Sequence, residues 1–472
     1  MGLEIVVLAA GQGTRMRSKL PKVLHRLAGE TLLAHVLRAA RALNPDRIHV
    51  VVGHAADAVR AEFADARDVR WVAQDRQLGT GHAVAQALPG VDAKSDVMVL
   101  YGDVPLISKA TLEACRAHAG EGVAIVTAHA TRPGRLGRIV RGKGGAVERI
   151  VEAADASRDE LAIDEINSGI LCAPARGLRE LLGVVEPRNA QGEFYLTDIV
   201  GLAVARGIPV RGVCAANETE VSGVNDRAEL SVLERCYQRR AAERLMECGV
   251  TLLDPARFDV RGEVVAGRDC VIDIDVVLEG RVVLGDDVRI GAGCVIKDAE
   301  IGDGATIHPH TVIDGATIAA GCEIGPFARM RPGTELAEHV KIGNFVETKK
   351  TKLGRGTKSN HFAYLGDTTT GADCNIGAGT IMCNYDGFEK HATHLGNDVF
   401  IGSNSTLVAP ISIADGAYVA AGSTVTSKVD KGDLAVGRAK QRNIQGWTPP
   451  AKRGRAEAGH HKAGRAKPDG KA

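Results

Sequence analysis

From residue 284 onward, aliphatic side chains recur at every sixth position. Leu284, Ile290 and Ile296 make one run, Ile301, Ile307 and Ile313 a second, and Ile324, Met330, Leu336, Ile342 and Thr348 a third. After an interruption the step returns at Leu395, Ile401, Leu407, Ile413, Val419 and Val425. Glycine often follows directly, as in Leu284-Gly285, Ile324-Gly325 and Ile401-Gly402. An amphipathic helix needs apolar residues three and four apart, so these runs exclude one. A hexad repeat is the signature of a β-helix, in which each short strand turns one aliphatic residue inward and successive coils stack those residues into ladders. Three hexads close one triangular coil. Such coils turn sharply, which suits a chain with 56 glycines and only 3% Phe, Tyr and Trp.

The first half follows a different rule. Ile5 to Ala9 reads as a buried strand, followed by the turn Gly11-Gln12-Gly13-Thr14 and a helical run from Leu32 to Leu43. Ile48–Val52 and Val97–Tyr101 are further strands, and Ala56 to Phe63 a helix. Short β-branched runs alternating with helices predict an α/β sheet of Rossmann-like type, with ligand crevices at the strand ends. Arg138 to Ile150 reads as an added hairpin, and the Ala-, Glu-, Arg- and Leu-rich stretch from Arg227 to Glu247 as a connecting helix. The expected organisation is therefore an α/β domain over 1–226, a helical linker over 227–250, a left-handed parallel β-helix over 251–450, and a disordered basic tail over 451–472.

At 472 residues the chain is long enough for two cores. A formal net charge of +1, with 44% hydrophobic and 25% charged residues, gives no polyanion-binding character, so nucleic acid is not an expected partner. The ten cysteines include no CxxC pair, and no stretch approaches the ~20 apolar residues that span a bilayer. A cytoplasmic protein without membrane insertion is expected.

Leu8-Ala9-Ala10-Gly11-Gln12-Gly13-Thr14-Arg15-Met16, followed by Leu20-Pro21-Lys22, offers what a nucleoside triphosphate needs. Glycines allow close backbone approach, exposed N–H groups meet phosphate oxygens, and Arg15 and Lys22 offset their charge. The pattern is neither a dinucleotide fingerprint, since position 16 is Met, nor a P-loop, since GK[ST] is missing. Asp103 follows the strand VMVLY, where an open α/β sheet places ligands, and its carboxylate could hold Mg²⁺. It could equally cap a helix. Asn225 could add a carbonyl oxygen or be an ordinary turn residue, and spacing does not reveal whether the two meet.

In the repeat half, Arg331, Lys349 and Lys350 offer charge for a phosphorylated substrate, and His361 lies in SNHFAY where the ladder is irregular. A histidine, with an ordinary pKa near ~6.5, is a competent base for an amine attacking a thioester, although an isolated one is more often a surface or hydrogen-bonded structural residue. Met382 to His394 (MCNYDGFEKHATH) reads as a loop leaving the coil, either a surface insertion or part of a site.

LAAGQGTRM with LPK resembles the signature of sugar-nucleotide pyrophosphorylases. Joined to the hexapeptide repeats, and with RPGTEL, NFVETKK, SNHFAYLG, NIGAGT and CNYDG, the chain from Leu3 to Trp447 resembles the bifunctional bacterial N-acetylglucosamine-1-phosphate uridyltransferase/glucosamine-1-phosphate acetyltransferases. The resemblance implies that Leu8, Ala9, Ala10, Gly11, Arg15 and Lys22 hold UTP, that Gln74, Gly79 and Thr80 read the uracil, and that Asp103 and Asn225 hold Mg²⁺. Gly137, Glu152, Asn167 and Asn225 would receive N-acetylglucosamine 1-phosphate. In the second half it implies Arg331, Lys349, Tyr364, Asn375 and Lys390 for glucosamine 1-phosphate, His361 as general base with Glu347 supporting it, and Ala378, Asn384, Tyr385, Ser403, Ala421 and Arg438 for acetyl-CoA. It further implies a homotrimer through the β-helix. An acyl-enzyme on Cys383 is the rival mechanism, and a nucleotide-responsive assembly protein using the β-helix as a rod is the non-enzymatic alternative.

Overall fold

The computed structural model describes residues 2–53 and 55–450, so the expected basic tail over 451–472 lies outside the described residues. The first half is a nine-stranded mixed sheet. Its main path runs Val210–Cys214, Val123–His129, Glu165–Pro174, Asp96–Tyr101, Leu3–Leu8, Arg47–Val52, Val69–Ala73. The Leu3–Leu8 strand pairs in parallel with neighbours on both sides, which fixes it at the centre. Ile5 and Val7 pack into the core on one face, Val6 and Leu8 into that on the other. A strand buried on both sides reads as an unbroken apolar run, which is why IVVL was legible. The Glu165–Pro174 strand is antiparallel to both neighbours, and Arg138–Arg141 and Val147–Val151 form the expected hairpin at its side.

Arg227–Glu247 is one helix, capped by Asp226, whose carboxylate accepts from the backbone of Ala228 and Glu229. It belongs to both halves. Leu233 packs into a cluster with Met16, Leu27, Leu32, Leu106 and Val224, while Ala241, Ala242 and Leu245 join the core of the repeat half.

Beyond it the chain winds into a three-sided parallel β-helix. One face stacks Leu252, Ile272, Ile290, Ile307, Ile324, Ile342, Ser359, Ile376, Ile401, Val419 and Ala435 in register. A second stacks Ile296, Ile313, Met330, Thr348 and Leu365, and the third Ile301, Ile318, Leu336 and Leu353. A run of hexads in sequence thus visits the three faces in turn. The runs break because some corners are one residue shorter: Ile313 and Ile318 flank the single left-handed Gly315.

Aromatic residues, absent from this core except for Phe258, instead mark one outer corner. His310, Phe327, Phe345 and Phe362 all have left-handed backbone and stack ring on ring, with centroids 5.1, 5.6 and 5.1 Å apart. Non-glycine residues rarely adopt that conformation, least of all bulky ones. The three phenylalanines are half exposed or more.

The interruption is shorter than its sequence suggests. Ile381–Cys383 and Thr393–Leu395 remain strands of the coil, with Met382 buried, so the loop proper runs from Asn384 to Ala392. It folds on itself: Tyr385 bridges to Lys390, and Asp386 accepts from His391 Nε2 at 2.7 Å and from the backbone of Phe388 and Glu389.

Two candidate active sites

The glycine turn after the central strand brings Arg15 and Lys22 to the carboxyl end of the sheet. Gly13 has φ +61° and lies so close to Lys22 that a Cβ would fall 2.6 Å from the lysine's own. Lys22 Nζ donates to Asp103 Oδ2 in a short contact and lies 3.2 Å from Asn225 Oδ1, which also accepts from Arg15 Nη2 at 2.9 Å. Val224 donates its backbone N–H to the Asp103 carbonyl at 2.9 Å, pinning the far end of the domain against the strand tip. So Asp103 and Asn225, which spacing left unrelated, meet around one cation. Two hard oxygen donors converging on an ammonium are donors of the kind that Mg²⁺ prefers. Among the described residues there is no cluster of three or more His, Cys, Asp or Glu of metal-binding kind.

Two adjoining pockets open here. The smaller, about 270 Å³, is lined by Leu8, Ala9, Ala10, Gly11, Lys22, Gln74, Gly79 and Thr80, so these expected nucleotide residues come together around one space. The larger, about 720 Å³, is lined by Arg15, Gly137, Glu152, Asn167 and Asn225. Thr80, Tyr101, Asp103 and Glu193 line both, which puts the Asp103 carboxylate at the seam. Gly79 is required where it stands, since its φ is +110° and a Cβ would meet the Phe194 carbonyl oxygen at 2.6 Å. Burial raises the Glu152 carboxyl above its ordinary range, against a 3.0 Å hydrogen bond from Thr197 Oγ1. Tyr101, Glu193, Tyr195 and Thr197 were not anticipated. Tyr101 ends a buried strand and carried a usable signal, whereas the Glu193–Thr197 segment reaches the pocket only through tertiary folding.

In the β-helix, corner geometry organises the second set. Phe362 N–H donates to the Asn344 carbonyl, Gly379 to that of His361, Asn404 to that of Ala378 and Gly422 to that of Ser403, while Arg438 Nη1 donates to the Ala421 carbonyl at 2.6 Å. Asn344, His361, Ala378, Ser403 and Ala421 therefore stand in single file along one corner, continuing the column of aromatics. His361 is exposed, and its Nδ1 lies 2.7 Å from Asn344 Oδ1. An amide oxygen only accepts, so Nδ1 carries the proton and Nε2 presents its lone pair to solvent.

The neighbouring face carries the charge. Arg331 stacks on the strand of Lys349, through the Arg331 N–H to Thr348 carbonyl bond, and the loop sets Lys390 beside Lys349. Lys390 above all, then burial and Arg331, depress the Lys349 ammonium below the usual lysine range. Asn384 Nδ2 donates to Asp367 Oδ2 at 2.6 Å, anchoring the loop's first residue to the coil below. Glu347 pairs with Arg331 at 2.8 Å, so within the chain the His361 partner is Asn344, which sequence reasoning overlooked because its spacing to His361 spans a full coil. Tyr364 pairs with Glu347 on the Arg331 side of the prism, whereas Asn375 pairs with Lys358 and Phe400 on a different face. One chain does not gather the five expected sugar-phosphate residues. Lys350 heads outward at a left-handed corner and has no described anionic partner. Cys383, in the Ile381–Cys383 strand, is a free and partly buried thiol.

Comparison with known proteins is consistent along the length of the chain. Residues 5–248 match the MobA-like NTP transferase domain, 260–354 the GMPPB C-terminal domain, and 392–427 the bacterial transferase hexapeptide (six repeats). The bifunctional protein GlmU of Marinobacter nauticus is 54% identical over 95% of this chain and 99% of its own. That of Pseudomonas entomophila is 55% identical over 96% and 99%, and that of Ralstonia nicotianae 51% identical over 95% and 99%.

Proposed function

Because the chain belongs to the bifunctional GlmU family, we propose that its two sites catalyse consecutive steps: N-acetylation of glucosamine 1-phosphate by acetyl-CoA, then uridylyl transfer from UTP to the product. The observation that carries this reading is the double one of two separate constellations: a phosphate-binding turn beside two oxygen donors that meet a cation, and an exposed histidine on a corner next to a face that carries Arg331, Lys349 and Lys390. The α/β unit over 1–226 performs the transfer of the nucleotidyl group, 227–250 joins the halves, and 251–450 performs the acylation.

In the first site no protein nucleophile is needed. The sugar phosphate oxygen, already ionised, attacks the α-phosphorus of UTP and pyrophosphate leaves. Lys22 and Arg15 neutralise charge on the transferring group and the leaving pyrophosphate, while the two pockets hold the reactants on either side of Asp103. Mg²⁺, held by Asp103 and Asn225, supplies Lewis-acid charge neutralisation when bound.

In the second site His361 Nε2 takes the proton from the glucosamine amine as its nitrogen attacks the thioester carbonyl, and the thiol of coenzyme A departs. Arg331, Lys349 and Lys390 hold the sugar phosphate, and Asn384 and Tyr385 with Ala378, Ser403, Ala421 and Arg438 hold acetyl-CoA. Direct transfer is favoured over an acyl-cysteine because His361 bonds to Asn344 and has no thiol partner among the described residues. The protein works as a homotrimer. Half-exposed phenylalanines at the corner, and the placement of Asn375 on a different face from Tyr364, support a site completed by a second copy. No described helix is long and apolar enough to cross a membrane, and the substrates of both steps support a cytoplasmic location.

A time-resolved mass assay with glucosamine 1-phosphate, acetyl-CoA, UTP and Mg²⁺ tests this. N-acetylglucosamine 1-phosphate should appear first and UDP-N-acetylglucosamine second. Nucleotide binding without turnover of either substrate would instead favour the assembly-rod alternative.

A further inference from the structure

Gln74 is buried at the edge of the nucleotide pocket, only 4% exposed, and its amide is held at two points. Its Nε2 donates to the Gly79 carbonyl at 3.1 Å and lies 3.0 Å from His82 Nδ1. The other ring nitrogen of His82 meets the Gln86 amide at 3.2 Å. A carbonyl oxygen can only accept, so the Gly79 contact fixes which end of the Gln74 amide is NH₂. The second amide proton then goes to His82 Nδ1, which must be the bare nitrogen of the ring. The ring proton then sits on Nε2, and the Gln86 amide, whose nitrogen lies 3.2 Å away, accepts it once its oxygen and nitrogen are exchanged by a flip. With both protons committed, Gln74 offers the pocket only its Oε1, which no donor meets among the described residues.

We infer that His82 is a positioning residue that sets base specificity by locking Gln74 with its acceptor toward the base. This rests on the uridylyl-transfer reading of the site. Uracil carries N3–H, a donor that Oε1 accepts. Cytosine carries a lone pair at N3, which Oε1 repels, and a buried mismatch of that kind is what discriminates strongly between similar ligands. Thymine keeps N3–H, so the lock separates UTP and dTTP from CTP and is blind to the difference between the first two. His82 itself stands in the first turn of the Thr80–Ala87 helix and does not line the pocket.

The test compares UTP, dTTP and CTP as substrates for full-length wild type, His82→Leu and His82→Asn, with acetyl transfer by the same preparations as the check on folding. Leucine removes the acceptor, whereas asparagine restores one near the position of Nδ1. Loss of one hydrogen bond to a buried amide should lower the UTP-to-CTP ratio of kcat/KM roughly fivefold to tenfold in His82→Leu, through KM for UTP. The UTP-to-dTTP ratio should stay constant, and His82→Asn should regain most of the loss. An unchanged UTP-to-CTP ratio, or an equal fall for all three nucleotides, overturns the inference while leaving uridylyl transfer standing. Failure of the wild type to use UTP at all overturns the underlying reading, and the inference with it.

Discussion

At the residue scale, the second site depends on a proton held in place. His361 is exposed, and a single amide, Asn344 one coil below, fixes which ring nitrogen points away from the coil. Replacing His361 by alanine should cut acetyl transfer by roughly 10²–10⁴-fold, the usual worth of a general base, and spare uridylyl transfer. Asn344→Ala should lower kcat for acetylation by a smaller factor, about tenfold, with little change in KM for glucosamine 1-phosphate, because orientation rather than binding is lost. Steady-state kinetics of both half-reactions check this, and equal loss of both activities in soluble, assembled protein would remove the division of labour. Lys349 makes a second prediction. Its pKa is lowered by Lys390, so on raising the pH it gives up its charge earlier than an ordinary lysine. The protonated form binds the phosphate; kcat/KM for glucosamine 1-phosphate should therefore fall on an alkaline limb set below the usual lysine range. Lys390→Met should move that limb to higher pH while weakening binding, and a limb that stays in place would show that Lys390 does not act on Lys349.

At the scale of elements, what could be read in the sequence was what local periodicity encodes. The buried strand around IVVL, the hairpin after Arg138, the capped helix from Arg227 and the hexad ladders all lie where the patterns put them. The five-residue steps at corners such as Gly315 blurred the ladders, since a corner can shed a residue without disturbing inward packing. Contacts between distant segments left no such trace: Asn344 meets His361, and Asn225 meets Lys22, only after the chain has coiled or closed. The Asn384–Ala392 loop lies between the two cases. Its presence was evident from the broken ladder, but its limits were not, because Met382 and Thr393 continue the coil on either side with buried side chains. Since Ile381–Cys383 pairs with Thr406–Val408 and Thr393–Leu395 with Ile411–Ile413, the coil is complete without the loop. Replacing Asn384–Ala392 by a short Gly-containing turn should leave the far-UV circular dichroism and uridylyl transfer intact and abolish acetyl transfer, through loss of Asn384, Tyr385 and Lys390. Retained acetylation would return the loop to the status of a surface insertion.

At the scale of the whole molecule, the two sites have unequal needs. The first is built inside one chain: its pockets are enclosed by segments from Leu8 to Asn225, and the long helix ties that unit to the β-helix without lining either pocket. The proposed second site is spread along an edge of a prism, with Asn375 on one face and Tyr364 on another, the arrangement that a site completed by a second copy would have. The stacked phenylalanines fit that meeting place. Each takes a backbone conformation that bulky residues avoid, which aims its ring out of the coil rather than into it, and a partner burying those rings would recover apolar surface that the single chain leaves in water. Asparagine accepts the same left-handed conformation, so Phe345→Asn combined with Phe362→Asn removes the apolar surface without straining the corner. Size-exclusion chromatography with light scattering should show the wild type as a trimer and the double variant as a monomer. The monomer should keep uridylyl transfer and lose acetyl transfer. A double variant that remains trimeric would move the interface to another part of the prism, and a monomer that still acetylates would mean that the residues of one chain suffice for the second site.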